Sequence, residues 1–336
     1  MIIFVWNACG LNSPRAFNIL QNHKRDSNPD IMFLMETRCK QAKLETWRSK
    51  LGFDGKLVVD SVGNSGGLCL FWSNAVEVDL LSYSSGHIDV RVRQCSKPIW
   101  RFSGFYGNPV PTQRKHYWTL LRRLAGMCNL PWLCIGDFNE ILYESEKVGG
   151  LKKSWQQMSE FREALDDCSL EDMGFVGPAY TWCNKREGTE MILERLGRGI
   201  CSHEWRLAFP HSVITHMEFW GSDHRSLVLE AMDSSMGAKV GLKNTNKRFY
   251  FEECWAQDHE CQDIVNNSWL VDTGGNNTDV ILKNIGSCGM QLKAWNILKR
   301  RNLRQDIRKT KGCPPRGLSI CETRFLEGNY CPRTST

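Results

Sequence analysis

Short apolar runs rich in β-branched and aromatic residues recur through the first 140 residues, and they restrict the fold more than any other feature. Eight such runs are visible: IIFVW at 2, IMFLM at 31, LVV at 57, GLCLFW at 67, VEVDLLSYS at 76, HIDVRVR at 87, IWRFSGFY at 99 and WLCIG at 132. Runs of this length and composition are typical of strands. Segments with helical spacing lie between or after them, at 15–25, 42–51, 112–127 and 155–168. The pattern predicts mixed α/β layers.

One pair of runs indicates how the strands are joined. Residues 76–83 and 87–93 alternate apolar and polar side chains on either side of a Ser-Ser-Gly turn. This pattern is typical of an antiparallel hairpin with one face in water. Early strands joined by hairpins, with helices scattered between them, argue against a doubly wound parallel sheet. We therefore expect an α/β (α+β) fold with two mainly antiparallel mixed sheets.

A change in composition near residue 232 predicts a domain boundary. The stretch DSSMGAKVGLKNTNK is small, polar and basic, as linkers are. We expect a folded domain at 1–231, a linker at 232–247, a helical basic extension at 248–311 and a disordered tail at 312–336. The net charge of +6 comes from the last part, because the first 236 residues contain 27 basic and 27 acidic side chains.

Cysteine usage and the start of the chain predict a cellular compartment. The chain has 15 cysteines, an odd number, and no C-x-x-C pair. The opening run MIIFVWN is too short for a signal peptide and no apolar segment reaches membrane length. We therefore expect reduced thiols and a nuclear or cytoplasmic location, not a secreted protein. A zinc site remains the alternative, built from Cys254, His259 and Cys261 or from Cys313, Cys321 and Cys331.

Polar residues interrupt the pattern at five strand ends: VWNACGLN at 5, FLMETRCK at 33, GFYGNP at 104, IGDFNE at 135 and GSDHRS at 221. Taken singly, each has an ordinary explanation as a turn or a helix cap. Together they supply three carboxylates, two amides, a phenol and an imidazole, from Glu36, Asp137, Asp223, Asn7, Asn139, Tyr106 and His224. Hard oxygen ligands suit Mg²⁺, with Mn²⁺ as the alternative ion. A neutral domain needs such an ion to act on an anionic substrate, so the pattern predicts a metal site facing a phosphate.

Asp137 and Asn139 are two residues apart in the stretch LCIGDFNEIL. Alternate residues of an extended chain point to the same side, so both side chains can face one small target. We therefore expect this acid and this amide to lie together at the end of a buried strand.

In their order and approximate spacing, the motifs W-N, E-T, Y-G before Asn-Pro, G-D-F-N and S-D-H resemble the endonuclease/exonuclease/phosphatase superfamily. That superfamily includes the apurinic endonucleases and the pancreatic deoxyribonuclease. Segments such as LPWLCIGDFNEIL, FREALDDCSL and YTWCNKREG are more narrowly similar to the endonuclease domain of plant LINE-type retrotransposon polyproteins. The resemblance covers about residues 1–230. It implies a four-layered αββα sandwich, with two sheets face to face and helices outside.

The resemblance also implies an activity and a metal site. The activity is hydrolysis of a phosphodiester in DNA by in-line attack of water, which leaves a 3′-hydroxyl. Glu36 corresponds to the principal metal ligand, with Asn7 and Asp223 beside it.

The same resemblance implies roles for the remaining site residues. Asp137 orients or deprotonates the attacking water, and Asn139 positions the phosphate. Tyr106 contacts the phosphate too, and Asp223 with His224 closes the site.

The sequence departs from the family pattern in three places. Gly197, in ERLGRGI, replaces the aspartate of the retrotransposon motif R-L-D-R, which orients the imidazole of the S-D-H motif. Ala8 and Cys9 stand where that branch more often has cysteine and arginine, and Arg225 replaces a small residue beside His224. Orienting carboxylates are often worth orders of magnitude in rate. We therefore expect the fold to be kept and catalysis to be weakened.

Two alternative functions stay open at this stage. One is a phosphatase of the same superfamily that acts on inositol lipids or sphingomyelin, although no amphipathic membrane-binding stretch is visible. The other is a catalytically silent remnant that binds nucleic acid, with the basic run KRRNLRQDIRKTK at 299–311 either contacting phosphates or serving as a solvated linker. The reverse-transcriptase signature Y/F-x-D-D is absent from the sequence, so we expect a retrotransposon element truncated before that enzyme.

Overall fold

The computed structural model describes residues 1–63, 65–95 and 97–232, followed by 255–256, 258–269, 284–285, 287–292, 294–296 and 299. The chain divides into two compact units, Met1–Thr245 and Asn246–Thr336. Apart from Met232, the linker predicted at 232–247 lies outside the described residues, as does the predicted tail at 312–336.

The strands of the first unit are, in chain order, β1 (Ile2–Asn7), β2 (Ile31–Met35), β3 (Gly55–Val59), β4 (Leu68–Trp72), β5 (Glu77–Ser84), β6 (His87–Arg93), β7 (Trp100–Tyr106), β8 (Trp132–Asp137), β9 (Lys147–Val148), β10 (Leu170–Asp172), β11 (Trp182–Cys183), β12 (Leu193–Glu194), β13 (Gly197–Ser202), β14 (Val213–His216) and β15 (Leu227–Glu230). Its α-helices are α1 (Pro14–Ser27), α2 (Gln41–Leu51), α3 (Arg114–Ala125), α4 (Trp155–Asp167) and α5 (His203–Ala208). Each of the eight predicted runs overlaps one of the strands β1 to β8, and the four predicted helices correspond to α1 to α4.

Two six-stranded sheets form the centre of the unit. Their strand orders are β14-β15-β1-β2-β4-β3 and β10-β13-β8-β7-β6-β5. Each sheet contains one parallel pair, β1 with β2 and β7 with β8, and its other pairs are antiparallel. The predicted hairpin is the antiparallel pair of β5 and β6. A small third sheet has the order β11-β12-β9.

Alternation of side chains along the strands produces the layers. In β1, Ile3 and Val5 pack between the two sheets, whereas Phe4 and Trp6 face the cluster formed with helices α1 and α2. Helices α3 and α4 cover the outer face of the second sheet. Trp118 and Leu121 of α3 and Phe161 and Leu165 of α4 pack in one cluster with Phe105 of β7 and Cys134 of β8. Burial of each large apolar side chain contributes about 1.5–3 kcal/mol to the stability of the fold. Two facing sheets with helices on both outer faces confirm the predicted four-layered αββα sandwich.

A buried ionic cluster holds β13 to the loops beside it. Arg195 and Arg198 each pair with Glu146 and Asp172, at nitrogen to oxygen distances of 2.7–2.9 Å. Burial alone would raise the pKa of both acids, but the two guanidinium groups outweigh it and hold each pKa below its usual range. The cluster is therefore charged at neutral pH.

Acidification should destabilise the fold through this cluster. Because the folded pKa of Glu146 lies below the unfolded one, its stabilising effect is complete only above about pH 5 and is lost as the pH falls through the folded pKa. Glu146→Gln should lower the free energy of unfolding at neutral pH by about 3 kcal/mol and flatten its acid dependence. Urea denaturation across the acidic range measures both, with exposed Glu187→Gln as the control. An unchanged slope in Glu146→Gln would contradict the expectation.

The second unit is described over a smaller share of its residues. It contains α6 (His259–Trp269), and the described residues between 284 and 299 are also helical. Trp255, Cys261, Cys288, Leu292 and Trp295 pack in one apolar cluster. Beyond Lys299, the basic run at 299–311 lies outside the described residues, and so do Cys254 and the cysteines at 313, 321 and 331. Within the described parts of the chain, every helix is too short or too polar to span a lipid bilayer.

Candidate active site

The two parallel strand pairs bring four strand ends to one edge of the sandwich. Asn7 ends β1, Glu36 follows β2, Tyr106 ends β7 and Asp137 ends β8. The carboxyl ends of parallel neighbours lie at the same edge of a sheet, and the two sheets face one another. Register pairs Asn7 with Met35 and Tyr106 with Asp137, so the side chains converge from both sheets.

The amide of Asn7 lies at the centre of the group. Its Nδ2 is 3.0 Å from Glu36 Oε1, 2.9 Å from Asp137 Oδ2 and 3.5 Å from His224 Nε2. Tyr106 Oη donates to Glu36 Oε1 at 2.7 Å, and His224 Nδ1 is 3.4 Å from Asp137 Oδ2. The structure thus brings together five of the seven residues singled out in the sequence.

The loop that carries the S-D-H motif is tied to β1 by buried hydrogen bonds. Ser222 Oγ donates to the Asn7 carbonyl oxygen at 2.8 Å, and the backbone N–H of His224 donates to Ser222 Oγ at 3.1 Å. The indole N–H of Trp6 donates to the His224 carbonyl oxygen at 3.2 Å. These bonds fix the imidazole against the end of the strand, and sequence reasoning did not assign a role to either Ser222 or Trp6.

Three site residues without the freedom of glycine have a left-handed backbone. The φ angles are 50° at Cys9, 50° at Glu36 and 56° at Asn139. Such conformations cost about 1–3 kcal/mol each and persist where the surrounding structure enforces them. At Glu36, the carbonyl oxygen accepts a hydrogen bond from Gly10 N at 2.8 Å, which locks the two loops together. The strained residues therefore lie at the edge of the sandwich where the polar strand ends converge.

Glu36 is held as a carboxylate by its neighbours. Burial alone would raise its pKa, but hydrogen bonds from Asn7, Tyr106 and Arg38 outweigh that effect and lower the pKa. Burial and the charges of Glu36 and Asp137 raise the pKa of the Tyr106 hydroxyl, which therefore stays a neutral donor. Arg38 Nη2 lies 3.2 Å from Glu36 Oε2, a cation that sequence reasoning missed.

Asp223 is also a carboxylate. Burial alone would raise its pKa, but the Cys9 thiol, the charge of His224 and the indole of Trp182 outweigh burial and lower it. Cys9 Sγ donates to Asp223 Oδ1 at 2.8 Å, and Trp182 Nε1 donates to Asp223 Oδ2 at 3.1 Å. The contacts from Cys9 and Trp182 were not foreseen, because no motif in the sequence relates either residue to the acid.

The arrangement of Asn139 differs from the expected extended pair. Strand β8 ends at Asp137, and the chain then turns, so that the backbone N–H of Asn139 donates to Asp137 Oδ1 at 3.0 Å. Asn139 Nδ2 donates to the Gly107 carbonyl oxygen at 2.8 Å. The prediction of two alternate residues on an extended chain is therefore wrong, because Asn139 has a left-handed backbone. Its backbone N–H contacts Asp137 and its side-chain amide contacts Gly107.

Gly197 borders a small cavity in the site. It pairs with Asp137 across β13 and β8, and the cavity has about 10 Å³ of room, close to that of one water molecule. Asp137, Thr181, His224 and Leu227 also line it. A Cβ atom added to Gly197 would lie 3.4 Å from Thr181 Oγ1 and 3.5 Å from Leu227 Cδ1, which are ordinary contacts. The position therefore accepts a side chain that begins in the cavity beside His224.

Arg225 does not act as a free cation beside the imidazole. Its guanidinium donates to the carbonyl oxygens of Tyr180 and Met217, both at 3.0 Å, and pairs with Glu218 at 2.6 Å. It also stacks over the Phe219 ring at 3.9 Å. The surrounding loops therefore supply hydrogen-bond and ion-pair partners for the arginine at this position.

The donor set fits a hard divalent cation. Carboxylates of Glu36 and Asp137 accept from the Asn7 amide, and the carboxylate of Asp223 accepts from the Cys9 thiol. Carboxylate oxygens of this kind are ligands that Mg²⁺ uses in proteins.

Comparison with protein families gives a match over most of the first unit. The model of the Endonuclease/Exonuclease/phosphatase family matches residues 4–224, which span the strands and loops of the site. Among curated proteins, no sequence matches the chain.

Several solved structures share the fold at low sequence identity. The 3′ phosphatase NExo from Neisseria, bound to a product DNA hairpin, is 18% identical with a TM-score of 0.53 over 69% of this chain and 99% of its own. An AP endonuclease from Archaeoglobus fulgidus is 16% identical with a TM-score of 0.52 over 69% and 99%. The endonuclease domain of TRAS1, a telomere-specific non-LTR retrotransposon, is 13% identical with a TM-score of 0.49 over 68% and 97%.

Proposed function

The chain belongs to the endonuclease/exonuclease/phosphatase family, and from this premise we propose that it is a Mg²⁺-dependent DNA endonuclease that leaves a 3′-hydroxyl. The observation that carries the proposal is the Asn7 amide, which joins Glu36 and Asp137 beside His224. The similarity of the segments between the motifs to plant LINE-type endonuclease domains supports an origin in such an element. DNA as the substrate is supported by the DNA hairpin held in the Neisseria structure of the same fold.

The metal would be held by Glu36, with Asn7 and Asp223 beside it. When bound, the ion neutralises phosphate charge and polarises the phosphorus centre. The lowered pKa values of Glu36 and Asp223 keep both groups anionic for this task at neutral pH. Mn²⁺ fits the same oxygen donors.

The protein groups around the metal would divide the remaining work. Asp137 would orient the attacking water and accept its proton as the new P–O bond forms. The bond from phosphorus to the 3′-oxygen breaks, and that oxygen takes a proton from solvent to become the 3′-hydroxyl. Asn139 would offer its amide to a nonbridging phosphate oxygen. Tyr106 holds Glu36 in place through its hydroxyl at 2.7 Å and faces the phosphate from the second sheet. His224 stabilises charge on the phosphate oxygens in the transition state.

With glycine at position 197, the enzyme should be slower than one that has the aspartate of the family motif. Without a carboxylate at this position, the neighbour of His224 Nδ1 is Asp137, at 3.4 Å. Asp137 is then required both to orient the imidazole and to activate water, two tasks that separate acids would perform better. The same observation favours the second candidate function, a remnant that binds nucleic acid without cutting it.

The test is nicking of supercoiled plasmid by the full chain. We expect relaxed circles with Mg²⁺ and none after chelation, and a DNA polymerase should extend the nicked ends because they carry 3′-hydroxyls. His224→Ala should reduce nicking by about 100-fold or more, the range expected for loss of a transition-state donor. Binding of DNA with no nicking under either Mg²⁺ or Mn²⁺ would instead support the silent remnant.

A further inference from the structure

Three potential metal ligands of mixed chemistry lie on two neighbouring loops. The Cys9 sulfur, a carboxylate oxygen of Asp223 and a ring nitrogen of His224 all lie within 4.8 Å of one another. Cys9 follows β1, and Asp223 with His224 precedes β15, the antiparallel neighbour of β1. The ligands therefore come from loops that flank two paired strands.

The chemistry of this triad differs from that of an oxygen-only site. Sulfur and imidazole are the ligands that Zn²⁺ prefers, and Mg²⁺ uses neither readily. In a tetrahedral zinc site with bonds of about 2.0–2.3 Å, ligand atoms lie roughly 3–4 Å apart. The triad lies within 4.8 Å, and Cys9 Sγ and Asp223 Oδ1 are 2.8 Å apart, so its spacing brackets that of such a site.

We propose that Cys9, Asp223 and His224 bind Zn²⁺, with water as the fourth ligand. On binding, the thiol proton of Cys9 is released to solvent and a zinc–thiolate bond forms, so that Cys–SH and Zn²⁺ give Cys–S–Zn⁺ and a proton. The indole N–H of Trp182 holds Asp223 Oδ2 at 3.1 Å. Asp223 Oδ1 accepts from the Cys9 thiol at 2.8 Å and from Ser222 Oγ at 3.4 Å, and it would bind the metal once the thiol proton has left. The site depends on Cys9, one of the residues that depart from the family pattern.

The surrounding charge favours a dication at this place. Burial, the Asp223 hydrogen bond and the charge of Glu36 raise the pKa of the Cys9 thiol, since an additional anion would lie among carboxylates. The same carboxylates attract a divalent cation, whose charge offsets that of the thiolate. Zinc bound here occupies Asp223 and His224, so it should inhibit nicking; this consequence rests on the proposed function, whereas zinc binding does not.

Cobalt spectroscopy of the full chain tests the site without any assay of activity. Co²⁺ replaces Zn²⁺ in such sites and gives a near-ultraviolet thiolate-to-cobalt charge-transfer band. We expect the band in the wild-type chain, its loss in Cys9→Ser and its retention in Cys183→Ser. Cys183 is a matched control, because it is also half-buried and its N–H bonds the Asp223 carbonyl at 3.0 Å without belonging to the triad.

Zinc affinity is measured by competition with a chromophoric chelator and should fall by about 100-fold in Cys9→Ser. Loss of a residue that only orients a metal ligand already costs about 10–100-fold, and Cys9 would be a ligand itself. Circular dichroism of each variant checks its fold, and Cys9→Ala provides a second test that removes the sulfur. The proposal is overturned if the cobalt band and zinc affinity are the same in the wild type and in both Cys9 variants. Zinc binding through Cys9 in a chain that does not nick DNA would overturn the proposed function alone.

Discussion

Glu36→Ala should lower Mg²⁺-dependent nicking by about 1,000-fold or more, which corresponds to about 4 kcal/mol of lost transition-state stabilisation. The reason is that Glu36 accepts hydrogen bonds from Asn7, Tyr106 and Arg38 and is held as an anion by them. Its removal takes away the proposed principal ligand and leaves the donors of Asn7 and Tyr106 without their acceptor.

Rates of plasmid relaxation over a Mg²⁺ titration measure this effect. Glu36→Gln keeps the size of the side chain and removes its charge, so it should also be strongly impaired at every Mg²⁺ concentration. Glu45→Ala on α2 is the control, because Glu45 is a half-buried acid whose ion-pair partners are Arg48 of α2 and Lys56 of β3. Wild-type nicking by Glu36→Ala would rule out Glu36 as the principal metal ligand.

Gly197→Asp should raise nicking by about 100-fold, within the range that orienting carboxylates contribute to histidine catalysis. The new side chain would begin in the cavity that borders His224 and Asp137. A carboxylate there can orient the imidazole and stabilise its protonated form, which frees Asp137 for the attacking water.

Two further variants separate orientation from simple filling of the cavity. Gly197→Asn has nearly the same volume without the charge and should give a much smaller gain. In a His224→Ala background, Gly197→Asp should give no gain, because the group that it orients is absent. Equal nicking by the wild type and Gly197→Asp would show that His224 does not need this partner.

The sequence predicted the centre of the fold because its signals there are local. Apolar or alternating runs of five or more residues formed β1, β2 and β4 to β8 almost where expected, and the parallel pairing at two places carried the polar strand ends to one edge. The strands after residue 145 were not predicted. Several contain two to four residues, and β13 begins Gly-Arg-Gly, a sequence with little strand preference that depends on its pairing with β8.

The sequence indicated which residues could form the candidate site, but it did not indicate their backbone conformation. Motif order identified Asn7, Glu36 and Asp137, but the left-handed backbone at Glu36 follows from contacts between loops that are distant in sequence. The hydrogen bond from Cys9 to Asp223 joins residues 214 positions apart. A contact between residues so far apart in sequence cannot be predicted from hydrophobic periodicity. The antiparallel pairing of β1 with β15 brings the two loops together.

The backbone at Gly197 has the conformation of an ordinary L-residue, and its surroundings clear a Cβ atom. The first atom of a side chain at this position therefore meets only ordinary contacts. Its addition needs no change of the backbone, so variants at residue 197 are expected to keep the wild-type fold.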